Sequence, residues 1–272
     1  MPSHYRIGTE SVEVTARRHF YAAAPEHFGC QLTDLAGTPA TLLSAKALPS
    51  PTMNRVIGLP GDMALPDDTL ARIRQFFRAR DITQFWLHAW NIPEHAALHA
   101  SLLAHGCEAR GSWAELAYPL DGAALPAPAT GAALPAVRLA RQDEYSVAGE
   151  ILSLSFGMPV LVEWMAGLAG RPAWQVYFVE DERGKPVATG TLLIDGANAW
   201  FGMGATLPEA RQRGAQQALL AARLAAARAA GCSMVSVEAE AADAGEHRPS
   251  LKNLLRAGFL LAGTRRNYLC NS

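Results

Sequence analysis

The sequence has 272 residues, of which half are hydrophobic, with 24 basic and 25 acidic side chains and a net charge of −1. This length suits one large domain or two small ones. The balance of charge offers no basic surface for nucleic acid or for an anionic membrane, so neither is expected as a partner. No apolar run reaches the roughly 20 residues that span a bilayer, and the N-terminal segment MPSHYRIGTESVEV lacks the apolar core of a signal peptide. The sequence therefore predicts a cytoplasmic protein.

The four cysteines, Cys30, Cys107, Cys232 and Cys270, are scattered without C-x-x-C spacing. They therefore predict no metal site. Cys107 and Cys232 lie in apolar surroundings and are expected to be small core residues.

The first half of the chain alternates strand-like and helix-like segments. In chain order they are the strands TPATLLSAKAL and NRVIGLP, a helix over residues 66–80, the strand ITQFWLHAW, the helix ALHASLLAHGC and the strand SWAELAYPL. Trp86, His88 and Trp90 alternate along ITQFWLHAW and are expected to belong to core packing.

Residues 121–136 form a segment of different composition, DGAALPAPATGAALPA. It has no charge after Asp121 and no periodicity, and three prolines stiffen it against regular helix. We therefore predict a first domain over residues 1–120, a linker over residues 121–136 and a second domain over residues 137–272.

The second half contains two helices, three strands, and then helix, strand, helix and strand. The helices are predicted at residues 143–156, 160–170, 209–230 and 249–258, and the strands at 174–181, 186–195, 199–207, 233–241 and 259–269. Proline at the start of the last helix and glycine at its end are typical helix boundaries. The order predicts a mixed α/β (α+β) architecture in which helices flank a sheet.

The later elements of the second half repeat those of the first. The offset between matching positions grows only from 147 for Gly37 and Gly184 (184 − 37) to 152 for Gly106 and Gly258 (258 − 106). The sequence therefore predicts duplication of one fold unit.

The most informative segment is TLPEARQRGAQQALL, residues 206–220. A predicted strand ends at Thr206, Pro208 opens a turn, and a helix begins near Arg213. Unpaired amides and a partial positive charge at a helix start bind phosphate, and Arg211 and Arg213 offer charge-assisted hydrogen bonds. The alternative is a solvated helix start with ordinary arginines.

This segment resembles the acetyl-CoA motif of the GNAT superfamily of N-acetyltransferases, V-x-P-x-x-R-x-x-G-x-G/A. Thr206, Pro208, Arg211 and Gly214 stand at its spacing, and Gln216 replaces its final small residue. The element order over residues 137–269 fits as well, so the resemblance implies a duplicated GNAT-like fold with a mixed, mostly antiparallel sheet. The ending PSLKNLLRAGF…RRNYL resembles bacterial members that have a degenerate first half.

The resemblance implies acetyl-CoA as the co-substrate and assigns residues to it. The strand residues Gly204, Ala205 and Thr206 would pair with the pantetheine arm, and one of their amides would polarise the thioester carbonyl. Asn253 lies where a polar side chain would face the coenzyme, although an exposed helix position is the alternative. The pyrophosphate would be held by Arg211, Gln212, Arg213, Gly214, Ala215, Gln216 and Gln217.

The catalytic residues are less well defined. Many GNAT members carry a tyrosine four residues before the glycine that ends the last helix, and here that position is Leu254. Glu238 and Glu240 share one face of a strand, and Glu238 is the predicted base, with solvated rim residues as the alternative. Tyr268 is a second candidate proton donor, with a core aromatic as the alternative.

The first half carries no such motif. Its corresponding loop, LPGDMALPDD, holds Asp62, Asp67 and Asp68, whose charges would repel a pyrophosphate. The first half is therefore predicted to be non-catalytic.

Two functions stay open. The first is an N-acetyltransferase that acts on a small amine, and the second is a catalytically weak acyl-CoA-binding sensor or scaffold. A P-loop or Rossmann nucleotide-binding protein is disfavoured because neither glycine motif occurs. The oligomeric state is left open, a homodimer included.

Overall fold

A computed structural model describes residues 3–59, 67–121, 134–241 and 248–272. Asp62 and most of the predicted linker lie outside the described residues. In the first half, a long N-terminal helix precedes three strands, a helix, a strand, a helix and a strand. These elements are α1 (Ser3–Ala22), β1 (Cys30–Asp34), β2 (Thr41–Ala45), β3 (Arg55–Ile57), α2 (Asp67–Arg78), β4 (Gln84–Trp90), α3 (Ala96–Ala104) and β5 (Glu108–Pro119).

The second half repeats this order after a short strand and two helices. Its elements are β6 (Val137–Leu139), α4 (Tyr145–Phe156), α5 (Leu161–Ala166), β7 (Trp174–Glu180), β8 (Pro186–Asp195), β9 (Asn198–Thr206), α6 (Ala215–Ala229), β10 (Met234–Glu240), α7 (Pro249–Arg256) and β11 (Leu260–Asn271). Strands β1 to β5 therefore correspond to β7 to β11, and the sequence repeat predicts this correspondence for β2 to β5.

Helix α1 is the main element that the sequence analysis did not predict. Among the side chains that the structure describes, its buried positions are Thr9, Val12, Glu13, Ala16, Arg17, Phe20 and Tyr21. Positions three and four residues apart lie on one face of a helix, so these side chains form its buried face. Two of them, Glu13 and Arg17, are charged. A hydrophobic pattern interrupted in this way is hard to identify from sequence alone.

Helix α6 begins later than predicted, at Ala215 rather than residue 209. Residues Pro208–Ala210 form a 3-10 turn instead. Gln212 and Gly214 both have positive φ, 64° and 79°. Two left-handed residues cannot continue a right-handed helix, so the intervening segment is a loop.

Within the part of the chain that the structure describes, eleven strands form one sheet in the order β1-β2-β3-β4-β11-β5-β10-β9-β8-β7-β6. Only the pairs β3–β4 and β9–β10 are parallel, and the other neighbours are antiparallel. The predicted mixed, mostly antiparallel sheet flanked by helices is confirmed.

The last strand of each half is exchanged with the other half. Strand β11 lies between β4 and β5, and β5 lies between β11 and β10. A disulfide between Cys107 and Cys270 joins the segment before β5 to β11. The sequence analysis expected Cys107 in the core, where it lies, but gave no indication of this pairing. The domain division at residues 121–136 stays a prediction, and hydrogen bonding of the sheet crosses it.

Three buried clusters surround the sheet. One packs α1, α4 and α5 on one face. The other two lie on the opposite face, one beneath α2 and α3 and the other beneath α6 and α7. Helix α1 contacts strands of both halves, so it lies where the halves join.

Candidate functional site

The candidate site lies where β9 and β10 part. Their parallel pairing runs from Asn198 and Met234 to Phe201 and Val237, and it stops there. Beyond this point, Gly204 has open space in the direction in which a Cβ would lie, with no atom within 4 Å of that position. Gly204 is also exposed, so a ligand chain can approach the backbone of β9 there without meeting a side chain.

A β-bulge turns β9 away from β10. Thr191 faces Gly202 and Thr189 faces Ala205, so three residue steps on β9 oppose two on β8. Met203, inside this bulge, has a φ of 45°. A bulge bends its strand and frees backbone groups from the ladder, and here it accompanies the opening of the gap between β9 and β10.

A buried arginine supports the bulge from below. Arg223 of α6 donates from Nη1 to the carbonyl oxygen of Thr191 at 3.0 Å, and its guanidinium lies 4.4 Å from the ring centre of Phe201. A Cβ on Gly190 would lie 2.8 Å from its guanidinium carbon, so Gly190 makes room for it. Burial lowers the pKa of Arg223 to about 9. The sequence analysis assigned no role to Arg223, whose only signal was an arginine on the apolar side of a helix.

The predicted phosphate loop lies at the end of β9. Arg211, Gln212 and Arg213 are exposed, and α6 starts without a side-chain cap. Its first-turn amides are therefore oriented toward the loop without a capping side chain, and the helix dipole adds a partial positive charge there. Ala215, Gln216 and Gln217 belong to this first turn, as the sequence analysis expected of them.

Gly214 is needed by the loop itself. A Cβ there would lie 3.1 Å from Leu134 Cδ2 and 3.5 Å from Pro135 Cδ. Its φ of 79° is the left-handed region. The loop therefore needs glycine for its backbone conformation and for packing against residues 134–135.

Asn253 and Gln216 are brought together by the fold. The side-chain amide of Asn253 on α7 donates to Gln216 Oε1 at 2.6 Å. Gln216 stands where the GNAT motif has a small residue, and this hydrogen bond holds its longer side chain against α7. The two predicted coenzyme residues therefore form one unit beside the first turn of α6.

Glu238 lies on β10, one residue past the last parallel pair with β9. Its side chain is 13% exposed. The guanidinium of Arg17 contacts Oε1, and that of Arg265 contacts Oε2 at 3.3 Å. Two guanidiniums on one carboxylate favour its ionised form.

The contacts of Glu238 belong to a buried ionic cluster beneath α1. Arg265 Nη2 also lies 2.5 Å from Glu13 Oε2 and 2.5 Å from Glu115 Oε1. Oxygens of Glu13, Glu115 and Glu238 lie within 4.8 Å of one another, a spacing that could hold a metal ion. The Arg265 guanidinium already occupies the point between these carboxylates. The sequence analysis did not include Glu13, Arg17, Glu115 or Arg265 among the functional candidates, because α1 had not been recognised.

Two carboxyls of the cluster have shifted pKa values. Burial raises the pKa of Glu115 to about 7, against the opposing effect of the Arg265 guanidinium. Burial also acts to raise the pKa of Glu13, but Arg265 and Arg17 outweigh it and lower the pKa to about 2. Arg265 therefore does not keep both carboxyls ionised at neutral pH.

The remaining catalytic candidates lie apart from the gap. Tyr268 is fully buried in the first-half core beneath α2 and α3, and its hydroxyl lies 2.7 Å from His99 Nδ1. Its predicted role as a proton donor at the second-half loop therefore has no geometric support. Glu240 is exposed and pairs with Arg248 at 3.2 Å. Leu254 is buried in the core beneath α6 and α7, as expected of a packing residue.

Comparison with solved structures identifies the fold. A GCN5-related N-acetyltransferase from Kribbella flavida superposes with a TM-score of 0.64 at 18% identity, over 97% of this chain and 94% of that one. A second GCN5-related N-acetyltransferase, from Sphaerobacter thermophilus, has a TM-score of 0.62 at 16% identity, over 88% of this chain and 82% of that one. The chain has the GNAT fold.

A tandem GNAT protein from the clavulanic acid biosynthesis pathway is also similar, with a TM-score of 0.57 at 19% identity, over 85% of this chain and 78% of that one. Comparisons with family models and with curated protein sequences give no match. The GNAT likeness therefore rests on the arrangement of elements, which the superposition follows through both halves.

Proposed function

We propose that this protein is an N-acetyltransferase that moves an acetyl group from acetyl-CoA to a small amine, with the coenzyme bound in the second half. The observation that carries the proposal is the gap between β9 and β10 next to the uncapped start of α6. An extended strand edge beside an anion-binding helix start suits a ligand that has a peptide-like arm and a pyrophosphate.

The residues present fit this ligand. The open space at Gly204 accepts the arm along the backbone of Gly204, Ala205 and Thr206. The first-turn amides of α6, with Arg211 and Arg213, provide donors and positive charge for the pyrophosphate. Bound acetyl-CoA supplies the acetyl group as an activated thioester.

The chain contributes positioning and proton transfer. A backbone amide of β9 at the gap donates to the acetyl carbonyl oxygen and stabilises the negative charge that develops on it. Glu238 is the proposed base, because it follows the point at which β10 leaves β9. It would accept a proton from an acceptor ammonium directly or through one water.

A second function is favoured by one observation. Arg17 and Arg265 contact both oxygens of Glu238, and a carboxylate stabilised in this way is a weak base. Leu254 supplies no acid in place of the missing tyrosine. A module that binds acyl-CoA without rapid transfer is consistent with both features.

Calorimetric titration of the full chain with acetyl-CoA tests binding, and we expect one site per chain. Gly204→Val should fold normally, because a Cβ there meets nothing, yet it should weaken binding at least tenfold by filling the gap. Gly204→Ala is the graded control and should have a smaller effect. Release of free CoA thiol with a panel of small amines then tests transfer.

Binding with transfer supports the enzyme, whereas binding without transfer to any amine supports the sensor. If the parent does not bind acetyl-CoA, or if Gly204→Val binds it as well as the parent, the proposed site is wrong.

A further inference from the structure

The first half contains a cleft in the position that corresponds to the second-half gap. Strands β3 and β4 pair in parallel only at Arg55 with Trp86 and at Val56 with Leu87. Past this point they part beneath α1, and a cleft of about 710 Å³ opens between them and the helix. The lining residues that the structure describes all belong to the first half, so the cleft is separate from the phosphate loop.

The walls of the cleft are mainly apolar, and two carboxyl side chains, Glu10 and Glu94, lie among them. Ile7 and Val14 of α1 face Leu59 and Ile92 of the strand ends. Glu10 projects from α1 between them and accepts a hydrogen bond from Trp90 Nε1 at 3.0 Å. Burial raises the pKa of Glu10, with the Arg265 guanidinium acting in the opposite direction.

Glu10 also belongs to the buried ionic cluster beneath α1. With it, the cluster has four carboxyls, on Glu10, Glu13, Glu115 and Glu238, and three guanidiniums, on Arg17, Arg55 and Arg265. Arg265 is already in contact with three of these carboxyls. Glu10 is the fourth carboxyl, and it lines the cleft, so a cation in the cleft can reach it.

Anion binding is less favoured by the same surroundings. Arg18 lines the cleft, but Asp34 and Thr41 accept hydrogen bonds from its guanidinium. Arg6 lines the cleft as well, and its charge is opposed by Glu10 one helical turn away.

We propose that this cleft is a second ligand site, which binds a small organic cation with its ammonium group on Glu10 and its apolar or aromatic body between α1 and the strand ends. This site is additional to the proposed coenzyme site and does not depend on acetyl transfer. A volume of this size accommodates a small organic molecule, and the indole of Trp90 adds an aromatic surface next to the ammonium position.

Calorimetry on the full chain without acetyl-CoA tests the proposal with three probes of similar shape, phenethylamine, 2-phenylethanol and phenylacetate. We expect phenethylamine to bind with one site per chain, and the alcohol and the carboxylate to bind at least tenfold more weakly. Glu10→Gln should weaken the binding of phenethylamine at least tenfold, because a hydrogen bond to a charged group is lost. The glutamine still accepts the Trp90 hydrogen bond, so the fold should persist, and thermal unfolding checks this.

Glu26→Gln, an exposed change on the segment after α1, is the matched control and should bind phenethylamine like the parent. Gly204→Val should also leave phenethylamine binding unchanged, since it alters only the second-half gap. The proposal is overturned if phenethylamine does not bind, if the alcohol binds equally well, or if Glu10→Gln has no effect. Loss of amine binding in Gly204→Val alone would instead place the amine at the proposed acetyl-transfer site. None of these outcomes changes the result of the acetyl-CoA titration.

Discussion

At the scale of single residues, the proposed acetyl transfer depends on the state of Glu238. It is held by Arg17 from α1 and by Arg265 from β11. Its ability to accept a proton therefore depends on how firmly these two cations hold it. An acceptor amine that enters the gap would compete with the guanidiniums for the same carboxylate.

We expect Glu238→Gln to lower the acetyl-transfer rate by about 100-fold or more, the lower end of general-base assistance, with little change in acetyl-CoA affinity. Initial-rate kinetics with an acceptor found in the amine screen, and calorimetry on the same variant, measure the two quantities. Glu240→Gln, two residues along the same strand face, is the control and should retain most of the rate. A rate that falls less than about threefold in Glu238→Gln would exclude Glu238 as the base.

The second residue-scale prediction concerns Glu115 and pH. Its pKa is raised in the folded protein to about 7, above its value in the unfolded chain. The protonated form is thus favoured by folding, and this contribution to stability is present below about pH 4.5 and is lost as pH rises through 7. Each pKa unit corresponds to about 1.4 kcal/mol, so the loss is on the order of a few kcal/mol.

Glu115→Gln removes this titration, so its free energy of unfolding should depend less on pH between 5 and 8 than that of the parent. Denaturant unfolding at a series of pH values measures the slopes. Glu182→Gln, exposed in the turn between β7 and β8, should keep the slope of the parent. Equal slopes in Glu115→Gln and the parent would show that Glu115 does not titrate in this range.

At the scale of elements, the exchanged strands make β5 and β11 the centre of the sheet. The disulfide between Cys107 and Cys270 links these two strands close to their ends. Cys30 and Cys232 are free thiols. The disulfide joins two chain segments that are far apart in sequence but adjacent in the sheet.

We expect reduction of this disulfide to lower the free energy of unfolding by roughly 2–4 kcal/mol, because the unfolded chain loses a long-range constraint. Thiol titration of the denatured protein should find two reactive thiols before reduction and four after it. The double variant Cys107→Ala/Cys270→Ala is the control, and a reductant should not change its stability. Four thiols before reduction would contradict the disulfide.

At the scale of the whole molecule, the two halves repeat one order of elements and share one sheet. The exchange of β5 and β11 means that neither half contains all the strand neighbours that it uses. The second half also depends on helix α1 of the first half, because α1 contributes Arg17 to the surroundings of Glu238. No helix within the described residues is both long enough and apolar enough to cross a membrane.

We therefore expect residues 1–121 and residues 134–272 to be poorly folded when each is expressed alone, and to form a stable one-to-one complex when expressed together. Unpaired strand edges and uncovered apolar faces favour aggregation of the separate halves. Size-exclusion chromatography and circular dichroism of each fragment and of the co-expressed pair measure this. A monomeric, cooperatively folding second half would show that the exchange is not required for its fold.

Much of the second half could be predicted from sequence because its signals are local. The strand over Pro186–Asp195 has the predicted bounds, since turn residues on both sides define its ends. The turn after Thr206 was identified by Pro208 and by residue spacing, although the helix begins at Ala215 rather than at residue 209. The left-handed φ of Gly214 and its packing against Leu134 and Pro135 were not predicted, because that contact joins the loop to residues about 80 positions earlier in the chain.

The sequence by itself determined the order of the second-half elements from α4 onward, the repeat, and the segment from Thr206 to Gln217 that resembles a coenzyme motif, because hydrophobic periodicity and turn residues act over short distances. Only the tertiary structure decided the exchange of β5 and β11, the position of Tyr268 in the first-half core and the ionic cluster around Arg265. Those features depend on contacts between residues that are widely separated along the chain, such as Glu13 with Arg265. The free energy of such contacts comes from burial and charge pairing. Both depend on which residues the folded sheet places side by side, and this cannot be read from their order in the chain.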